Sequence, residues 1–266
     1  MSWWLQLRHI RGSQPRCVSF THGERASVAS RLTRLVNGAG VTVAADDSWL
    51  PTGQPVQRPD GAWDVSPAME VTLDNLNPLL SREESQHLKQ WWLMHPHPKA
   101  NTPNWDIAGT CLVDGQKGIL LVEAKAHANE LEEGGKTLDA DASEKSRGNH
   151  LQIGRVISDA AACLQRDTGL PFAISRDQRY QMSNRFAMAC KLTEMGYAVV
   201  LVYLGFLNAG EMSDLGSCFP DLETWQERVE RHSKILFPAQ IWGQRWTLNG
   251  RPFLPLIRAI QCEYDR

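Results

Sequence analysis

The strongest constraint on the fold is the segment 197–207, which is the most apolar run in the chain. An amphipathic stretch, Tyr180–Glu194, precedes it and is followed by Gly196. A short apolar run bounded by a glycine is typical of a strand that is buried on both faces in a parallel or mixed sheet. A helix followed directly by such a strand is the order of elements found in α/β proteins. The sequence therefore predicts an α/β fold.

A second predicted strand, 118–127, changes character along its length. It is apolar through residues 120–122 and then alternates between charged and small side chains. Because successive side chains of a strand point to opposite faces, Glu123, Lys125 and His127 share one face. A carboxylate and an ammonium that end a buried strand are costly to desolvate unless they contact each other or a metal ion. The pattern favours a functional site, and a solvated strand with a structural ion pair is the alternative.

The segment before this strand supplies a second carboxylate, Asp106. It lies 17 positions before Glu123, which is enough for two strands and a turn at Asp114-Gly115. The Asp-Gly pair is a strong turn signal. Two strands paired in this way would bring Asp106 close to Glu123 and Lys125. We therefore expect the three side chains to converge in one concave site at the edge of a central sheet.

The pattern Asp106, Glu123-Ala124-Lys125 resembles the catalytic signature of the PD-(D/E)XK nuclease superfamily, over roughly residues 81–207. The resemblance implies a restriction-endonuclease-like fold, in which a mixed sheet is flanked by helices. It also implies that Asp106 and Glu123 are ligands of Mg²⁺ or Mn²⁺ and that Lys125 positions the attacking water. Carboxylate oxygens suit such a hard cation, which keeps several water ligands.

The function implied by the resemblance is that of a metal-dependent hydrolase, an endonuclease acting on nucleic acid, with DNA favoured over RNA. A catalytically silent nucleic-acid-binding or assembly module of the same fold is the alternative, and hydrolysis of another phosphorylated substrate is a third possibility. The net charge of −2 is nearly balanced, so contact with nucleic acid requires a local basic patch. Five arginines are candidates for phosphate contacts, namely Arg147, Arg155, Arg176, Arg179 and Arg185.

Two further residues are candidates for the site. Ser81 and Glu84 form a capping box, which predicts a helix that starts here and ends at Pro96. Nucleases of this superfamily often carry a Glu on the leading helix, so Glu84 is a candidate catalytic residue, although capping the helix would explain it equally. Gln152, near the start of a helix predicted over 149–167, is the candidate polar residue from the following helix. A solvated surface glutamine is its alternative.

The chain is expected to comprise an N-terminal extension, 1–80, packed on a nuclease-like domain, 81–266. Near the C-terminus, Asn249-Gly250 stands between apolar residues and predicts a β-hairpin. The polar connection 130–148 is longer than an ordinary loop. It is interpreted either as a loop that contacts the substrate or as a mobile surface loop.

Composition excludes several other classes of protein. The six cysteines lack the spacing of a zinc site and are expected to be reduced, and the eight histidines form no zinc motif. The chain has no glycine-rich phosphate loop and no Gly-x-Ser-x-Gly motif. We find no signal sequence and no apolar stretch of membrane-spanning length, so we expect a cytoplasmic protein without membrane contact. The sequence does not predict the oligomeric state.

Overall fold

A computed structural model describes residues 11–38, 40–75, 78–97 and 100–262. The α-helices in this part of the chain are α1 Ser13–Thr21, α2 Arg25–Leu35, α3 Arg82–Trp92, α4 Glu144–Thr168, α5 Tyr180–Glu194 and α6 Leu222–Ser233. The first five strands are β1 Val41–Thr42, β2 Trp49–Leu50, β3 Val56–Gln57, β4 Trp63–Asp64 and β5 Val71–Thr72. The remaining strands are β6 Asn104–Trp105, β7 Ile107–Val113, β8 Gln116–Lys125, β9 Ala198–Leu207, β10 Trp246–Leu248 and β11 Arg251–Gln261.

Seven of these strands form one central sheet, in the order β1-β7-β8-β9-β11-β10, with β2 also paired to β7. Strand β9 runs parallel to both β8 and β11, whereas the pairs β7–β8 and β10–β11 are antiparallel. The sheet is therefore mixed. Helices flank it, which confirms the predicted α/β class. Strand β9 is buried over almost its whole length, as its apolar sequence predicts.

The two predicted hairpins are present. The turn between β7 and β8 consists of Asp114 and Gly115, and that between β10 and β11 consists of Asn249 and Gly250. All four residues have positive φ angles, from 49° to 76°. This backbone suits a two-residue turn whose twist matches the flanking strands, and Asn-Gly and Asp-Gly are the pairs that adopt it most readily. The second hairpin extends further than the sequence indicated, because β11 continues to Gln261.

The two faces of the sheet carry separate cores. One face of β8 presents Ile119 and Leu121 to the cluster that includes the buried side chains of α3, α4, α5 and α6. The opposite face presents Leu120, Val122 and Ala124 to the cluster that includes side chains of α1 and α2. The alternation predicted for this strand is thus present. The segment before residue 80 contributes α1 and α2 to the second core and two short strands, β1 and β2, to the central sheet.

The helix boundaries differ from the sequence prediction at several ends. Helix α3 has the predicted capping box between Ser81 and Glu84 but ends at Trp92, before Pro96. Helix α4 begins at Glu144, with Ser143 as its N-cap, and therefore shortens the predicted polar connection. All six cysteines are free thiols, as predicted. Within the described ranges, no helix has both the length and the apolar character needed to cross a membrane.

Candidate active site

Asp106 lies close to Glu123, in the bend just before β7. The ladder of β7 with β8 ends at the pair Ile107–Val122. Beyond that pair, Asp106 Oδ2 accepts a hydrogen bond from the backbone N–H of Ala124, and Asp106 and Glu123 line the same cavity. Lys125 lies two positions after Glu123 on β8 and shares its face of the strand. The structure therefore brings together the three side chains that the sequence motif singled out.

Glu123 is the centre of a buried group of charges and is 1 % exposed. Its Oε1 accepts a hydrogen bond from Lys125 Nζ at 2.5 Å. Its Oε2 accepts one from Arg185 Nε at 2.7 Å. Burial opposes ionisation of Glu123, but Arg185 and Lys125 outweigh this effect and lower the pKa of the carboxyl. Glu123 is accordingly a buried carboxylate held between two cations.

Lys125 stays protonated in this environment. Burial lowers the pKa of the ammonium, but Glu123 and Asp106 raise it further, and the net shift is upward from 10.5. A lysine with a raised pKa does not release its proton near neutral pH. Lys125 is therefore a positively charged hydrogen-bond donor rather than a base.

Asp106 has fewer favourable partners than Glu123. Its side chain is half-buried, and Oδ2 accepts a hydrogen bond from the backbone N–H of Ala124 at 2.8 Å. Burial and the neighbouring charge of Glu123 raise the pKa of Asp106 from 3.8 to about 8, although Lys125 acts in the opposite direction. The nearby cations direct their hydrogen bonds to Glu123. Asp106 is thus a carboxyl group that an additional cation would stabilise in its ionised form.

Arg185 is a site residue whose role the sequence did not reveal. It lies on α5, is 5 % exposed, and its guanidinium stands 4.5 Å from the ring centroid of Trp105. In the sequence it is one of five candidate phosphate-binding arginines. Its position among apolar residues of the predicted helix was the available signal, because a buried arginine requires a partner.

A cavity of about 530 Å³ opens over these side chains. Asp106, Glu123, Lys125 and Arg185 are part of its lining. Three further carboxylates, which the sequence analysis did not select, also line it, namely Glu70, Glu130 and Glu132. Among the described residues, the lining therefore contains five acidic side chains, of which Asp106 is mostly protonated at neutral pH, and two cations. This excess of negative charge attracts cations and repels an anionic substrate that arrives without one.

Glu84, the predicted catalytic residue of the leading helix, lies elsewhere. Its Oε2 accepts a hydrogen bond from the backbone N–H of Ser81 at 2.8 Å, and its Oε1 accepts one from the hydroxyl of Tyr197 at 2.7 Å. Lys117, near the turn end of β8, is among the charges that act on it. Lys117 is six residues from Glu123, which corresponds to about 20 Å along a strand. The capping explanation of Glu84 fits its contacts, and the structure does not bring Glu84 into the cavity.

Gln152 and His127 also lie outside the cavity lining. Gln152 Nε2 donates to the backbone carbonyl of Trp91 at 2.9 Å, which joins α4 to α3. The glutamine that does line the cavity is Gln181, on α5. His127 shares the face of Lys125 by alternation, but it forms a bridge to Cys218 and lies near Glu130. The helix that contributes polar groups to the site is therefore α5 rather than α4.

The other four candidate arginines also have partners outside the cavity. Arg179 pairs with Glu133, Arg176 with Asp177 and Arg155 with Asp159, while Arg147 donates to the backbone carbonyls of Ala140 and Ala142. Of the five, only Arg185 lines the cavity. The predicted patch of phosphate-binding arginines is not assembled around Glu123.

The residues of the cavity fit one kind of metal better than others. Across the described ranges, no group of three or more His, Cys, Asp or Glu side chains is arranged to hold a metal ion. Zinc takes three or four protein ligands, often Cys or His, whereas the described acidic side chains of the cavity offer carboxylate oxygens. Mg²⁺ is usually bound through one or two carboxylates, with water and substrate phosphate as the other ligands. Asp106, whose carboxyl forms no ion pair within 4 Å among the described residues, and Glu123 provide such a donor set.

Comparison of the chain with models of protein families, with curated proteins and with solved structures finds no match. The chemistry of the cavity is therefore inferred from its own geometry and charges. These comprise a buried carboxylate between two cations, a second carboxyl group with a raised pKa, and an opening rich in negative charge.

Proposed function

We propose that the protein is a metal-dependent nuclease of the restriction-endonuclease-like fold, which hydrolyses phosphodiester bonds, in DNA rather than RNA. The observation that carries this proposal is the convergence of Asp106, Glu123 and Lys125 on one cavity beside a mixed sheet. Strand β8 supplies Glu123 and Lys125, and the residue just before β7 supplies Asp106, so the pairing of β7 with β8 holds the three groups near one another. Such rigid placement of charged groups is what an active site requires.

Within this proposal, Asp106 and Glu123 hold Mg²⁺ or Mn²⁺, which would neutralise charge on the scissile phosphate and lower the pKa of a bound water. Lys125 is charged at neutral pH and can orient that water or donate to a phosphate oxygen. Arg185 fixes the orientation of Glu123 through its hydrogen bond to Oε2. Positioning of this kind lets one carboxylate oxygen face the cavity in a defined direction.

The charge of the cavity supports a requirement for the metal. A phosphodiester carries a negative charge and, with Asp106 protonated, would meet four carboxylates against two cations among the described lining residues. In a partly buried cavity this repulsion is stronger than in water. A divalent cation would reverse the balance. The acidic lining therefore favours a nuclease that binds its substrate only together with the metal.

One observation favours a second function. Both oxygens of Glu123 already accept hydrogen bonds from Lys125 and Arg185, and this triad would also suit a purely structural ion network. The protein would then be a catalytically silent module that binds nucleic acid or assembles with other proteins. The raised pKa of Asp106 argues for the metal site instead, because a structural network has no use for a second carboxyl group whose charge the nearby cations do not fully compensate.

The test is cleavage of labelled nucleic acids, single- and double-stranded DNA and RNA, by the wild type in Mg²⁺, in Mn²⁺ and in EDTA. We expect cleavage only with metal. Asp106→Asn should lower the rate by at least about 10²-fold, as removal of one electrostatic group from an active site usually does. Lys125→Ala should lower turnover more than metal affinity. Glu84→Gln serves as the control, since Glu84 lies outside the cavity.

Two results would contradict the proposal. One is undiminished cleavage by Asp106→Asn purified by the same procedure, which would point to a contaminating nuclease or to another site. The other is the absence of cleavage of every substrate in both metals, together with metal-independent binding of nucleic acid. The second result would favour the silent module.

A further inference from the structure

A second cavity, of about 600 Å³, adjoins the acidic one. We call it the side pocket. It lies among α4, the start of α5, the segment 100–104 and the connection that follows β8. Four residues line both cavities, namely Asn104, Glu132, Gln181 and Arg185. A molecule bound over Asp106 and Glu123 can therefore extend into the side pocket without leaving the protein surface.

The lining of the side pocket differs from that of the acidic cavity. Lys136 lies 5.2 Å from the ring centroid of Tyr180, and both residues line the pocket. His150 also lines it. Side-chain amides are numerous in the wall, namely Asn101, Asn104, Asn149, Gln181 and Asn184. Of these, Asn149 bonds the backbone of His95 through both amide atoms, and Asn184 Oδ1 accepts from Arg185. Amides can donate to and accept from the edges of nucleobases, aromatic rings can stack on them, and a lysine can contact phosphate.

The wall formed by the connection after β8 is held in place. The backbone N–H of Lys136 donates to the carbonyl of Arg176 at 2.8 Å, and that of Tyr180 donates to the carbonyl of Gly134 at 3.0 Å. At Gly135 a Cβ atom would lie 2.4 Å from the carbonyl oxygen of Asp177, so this close approach requires glycine. Of the two interpretations of this connection, a mobile loop or a loop that contacts the substrate, these contacts favour the second.

The size of the side pocket limits what it can hold. Its volume is in the range of pockets that bind one small molecule. A base that is still paired within a duplex cannot enter such a space, whereas an unpaired or flipped-out nucleotide can. A single nucleotide also matches the mixture of amide, aromatic and cationic groups in the wall.

We propose that the side pocket binds one unpaired nucleotide next to the scissile phosphodiester, so that the substrate is single-stranded or contains a flipped-out base. This inference rests on the proposed nuclease function, because the scissile phosphate is placed over Asp106 and Glu123. It adds a substrate class that the acidic cavity alone does not specify. The strand passes from the metal site, past Arg185 and Gln181, into the pocket.

The test uses a variant that fills the side pocket and a matched control. Ala142 lines the pocket, whereas Ala140, on the same connection, does not. Ala142→Trp should occupy the space that the nucleotide needs, and Ala140→Trp adds the same bulk outside it. A second pair removes charge: Lys136 lines the pocket, and Lys145 is exposed at the start of α4 and does not line it. Melting temperatures of all four variants report whether each folds.

The measurement is the dissociation constant of a short fluorescent oligonucleotide, free or annealed into a blunt duplex, by anisotropy in Ca²⁺. We expect the wild type to bind the single strand at least about tenfold more tightly than the duplex, the effect of one stacked base. Ala142→Trp and Lys136→Ala should each remove about tenfold of single-strand affinity. Ala140→Trp and Lys145→Ala should stay within about twofold of the wild type, as expected for exposed positions.

Three outcomes separate this inference from the nuclease proposal. Equal affinity for duplex and single strand, or no binding of either, would contradict the proposed role of the side pocket. An unchanged dissociation constant for the single strand in Ala142→Trp would contradict it too. Rapid cleavage of a blunt duplex by Ala142→Trp would overturn it too, while leaving the nuclease intact. If single-strand binding shows the expected pattern but no metal supports cleavage, the side pocket stands and the nuclease proposal fails. If Ala142→Trp does not fold, the single-strand affinity of Lys136→Ala, compared with that of Lys145→Ala, tests the side pocket instead.

Discussion

The charged side chains at the two ends of strand β8 differ in how far they are buried. At the turn end, Lys117 is exposed, and the nearby Glu84 is half-buried and hydrogen-bonded to Ser81 and Tyr197. At the other end, Glu123 and Lys125 are both buried. Charges at the turn end remain close to water and need little compensation. Charges at the site end are desolvated and are stabilised by one another. Proteins maintain such buried groups of charges chiefly at functional sites.

Because of this difference, substitutions at the two ends should change the free energy of unfolding by unequal amounts. Replacing one member of a buried group of charges leaves the others without compensation, whereas replacing a half-exposed cap removes only a few hydrogen bonds. The carboxylates of Glu123 and Glu84 each accept more than one hydrogen bond. Burial, rather than the number of bonds, is what distinguishes them.

The largest effect is expected from Glu123→Gln. It leaves the cations Lys125 and Arg185 buried without their carboxylate, which should lower the free energy of unfolding by about 3–5 kcal/mol. Glu84→Gln, the matched change at the other end of β8, should lower it by about 1 kcal/mol. Urea denaturation of both variants measures the two values. A cost for Glu123→Gln no larger than that for Glu84→Gln would contradict the proposed contrast.

A smaller change per pH unit, visible in the pH dependence of stability, is expected from Asp106→Asn. The pKa of Asp106 is about 8 in the folded protein and near 4 when unfolded, so between these values the folded state holds a proton that the unfolded state has lost. Stability should therefore fall as pH rises through this window, by at most about 1.4 kcal/mol per pH unit, and Asp106→Asn should remove this contribution.

The wild-type curve contains an opposing contribution from His232. Burial lowers the pKa of His232 to about 4, so this residue makes stability rise with pH between about 4 and 6.5. The difference between wild type and Asp106→Asn, measured by urea denaturation at several pH values, isolates Asp106. If the two curves are parallel between about pH 6.5 and pH 8, the raised pKa of Asp106 is wrong.

The smallest effect is expected from Tyr197→Phe, which removes the hydroxyl that donates to Glu84. It should lower the free energy of unfolding by about 1 kcal/mol, the usual contribution of one hydrogen bond in a half-exposed position. Nucleic-acid cleavage should stay within about twofold of the wild-type rate, because surface changes far from a site seldom alter it. Denaturation and cleavage assays together check both values. A large loss of cleavage would return Glu84 to the list of catalytic candidates.

Much of the fold was predictable because its signals are local. The turns at Asp114-Gly115 and Asn249-Gly250, the capping box at Ser81 and the apolar run of β9 are each encoded within a few residues. The parallel pairing of β11 with β9 and the antiparallel pairing of β1 and β2 with β7 were not predicted. Such pairings join segments that are distant in sequence, and alternation along one strand does not specify its neighbour.

The site was predictable to the same extent. Asp106, Glu123 and Lys125 follow from the register of one hairpin and strand alternation, which are short-range properties. Arg185 reaches Glu123 across 62 positions, through the packing of α5 on the sheet. Glu84 was selected because it lies on the leading helix, but the sequence does not encode which end of β8 that helix approaches. The positions of both Arg185 and Glu84 relative to the site depend on tertiary packing.

The central claim, that Asp106 and Glu123 bind a divalent cation, is tested most directly by calorimetric titration of the wild type with Mn²⁺ at pH 7. Because the pKa of Asp106 is about 8, its carboxyl is mostly protonated without metal and must release its proton on binding. Repeating the titration in buffers of different ionisation enthalpy gives the number of protons released. We predict binding with release of about one proton, and weaker binding without this release in Asp106→Asn. No binding by the wild type, or equal binding and proton release by both proteins, would contradict the account.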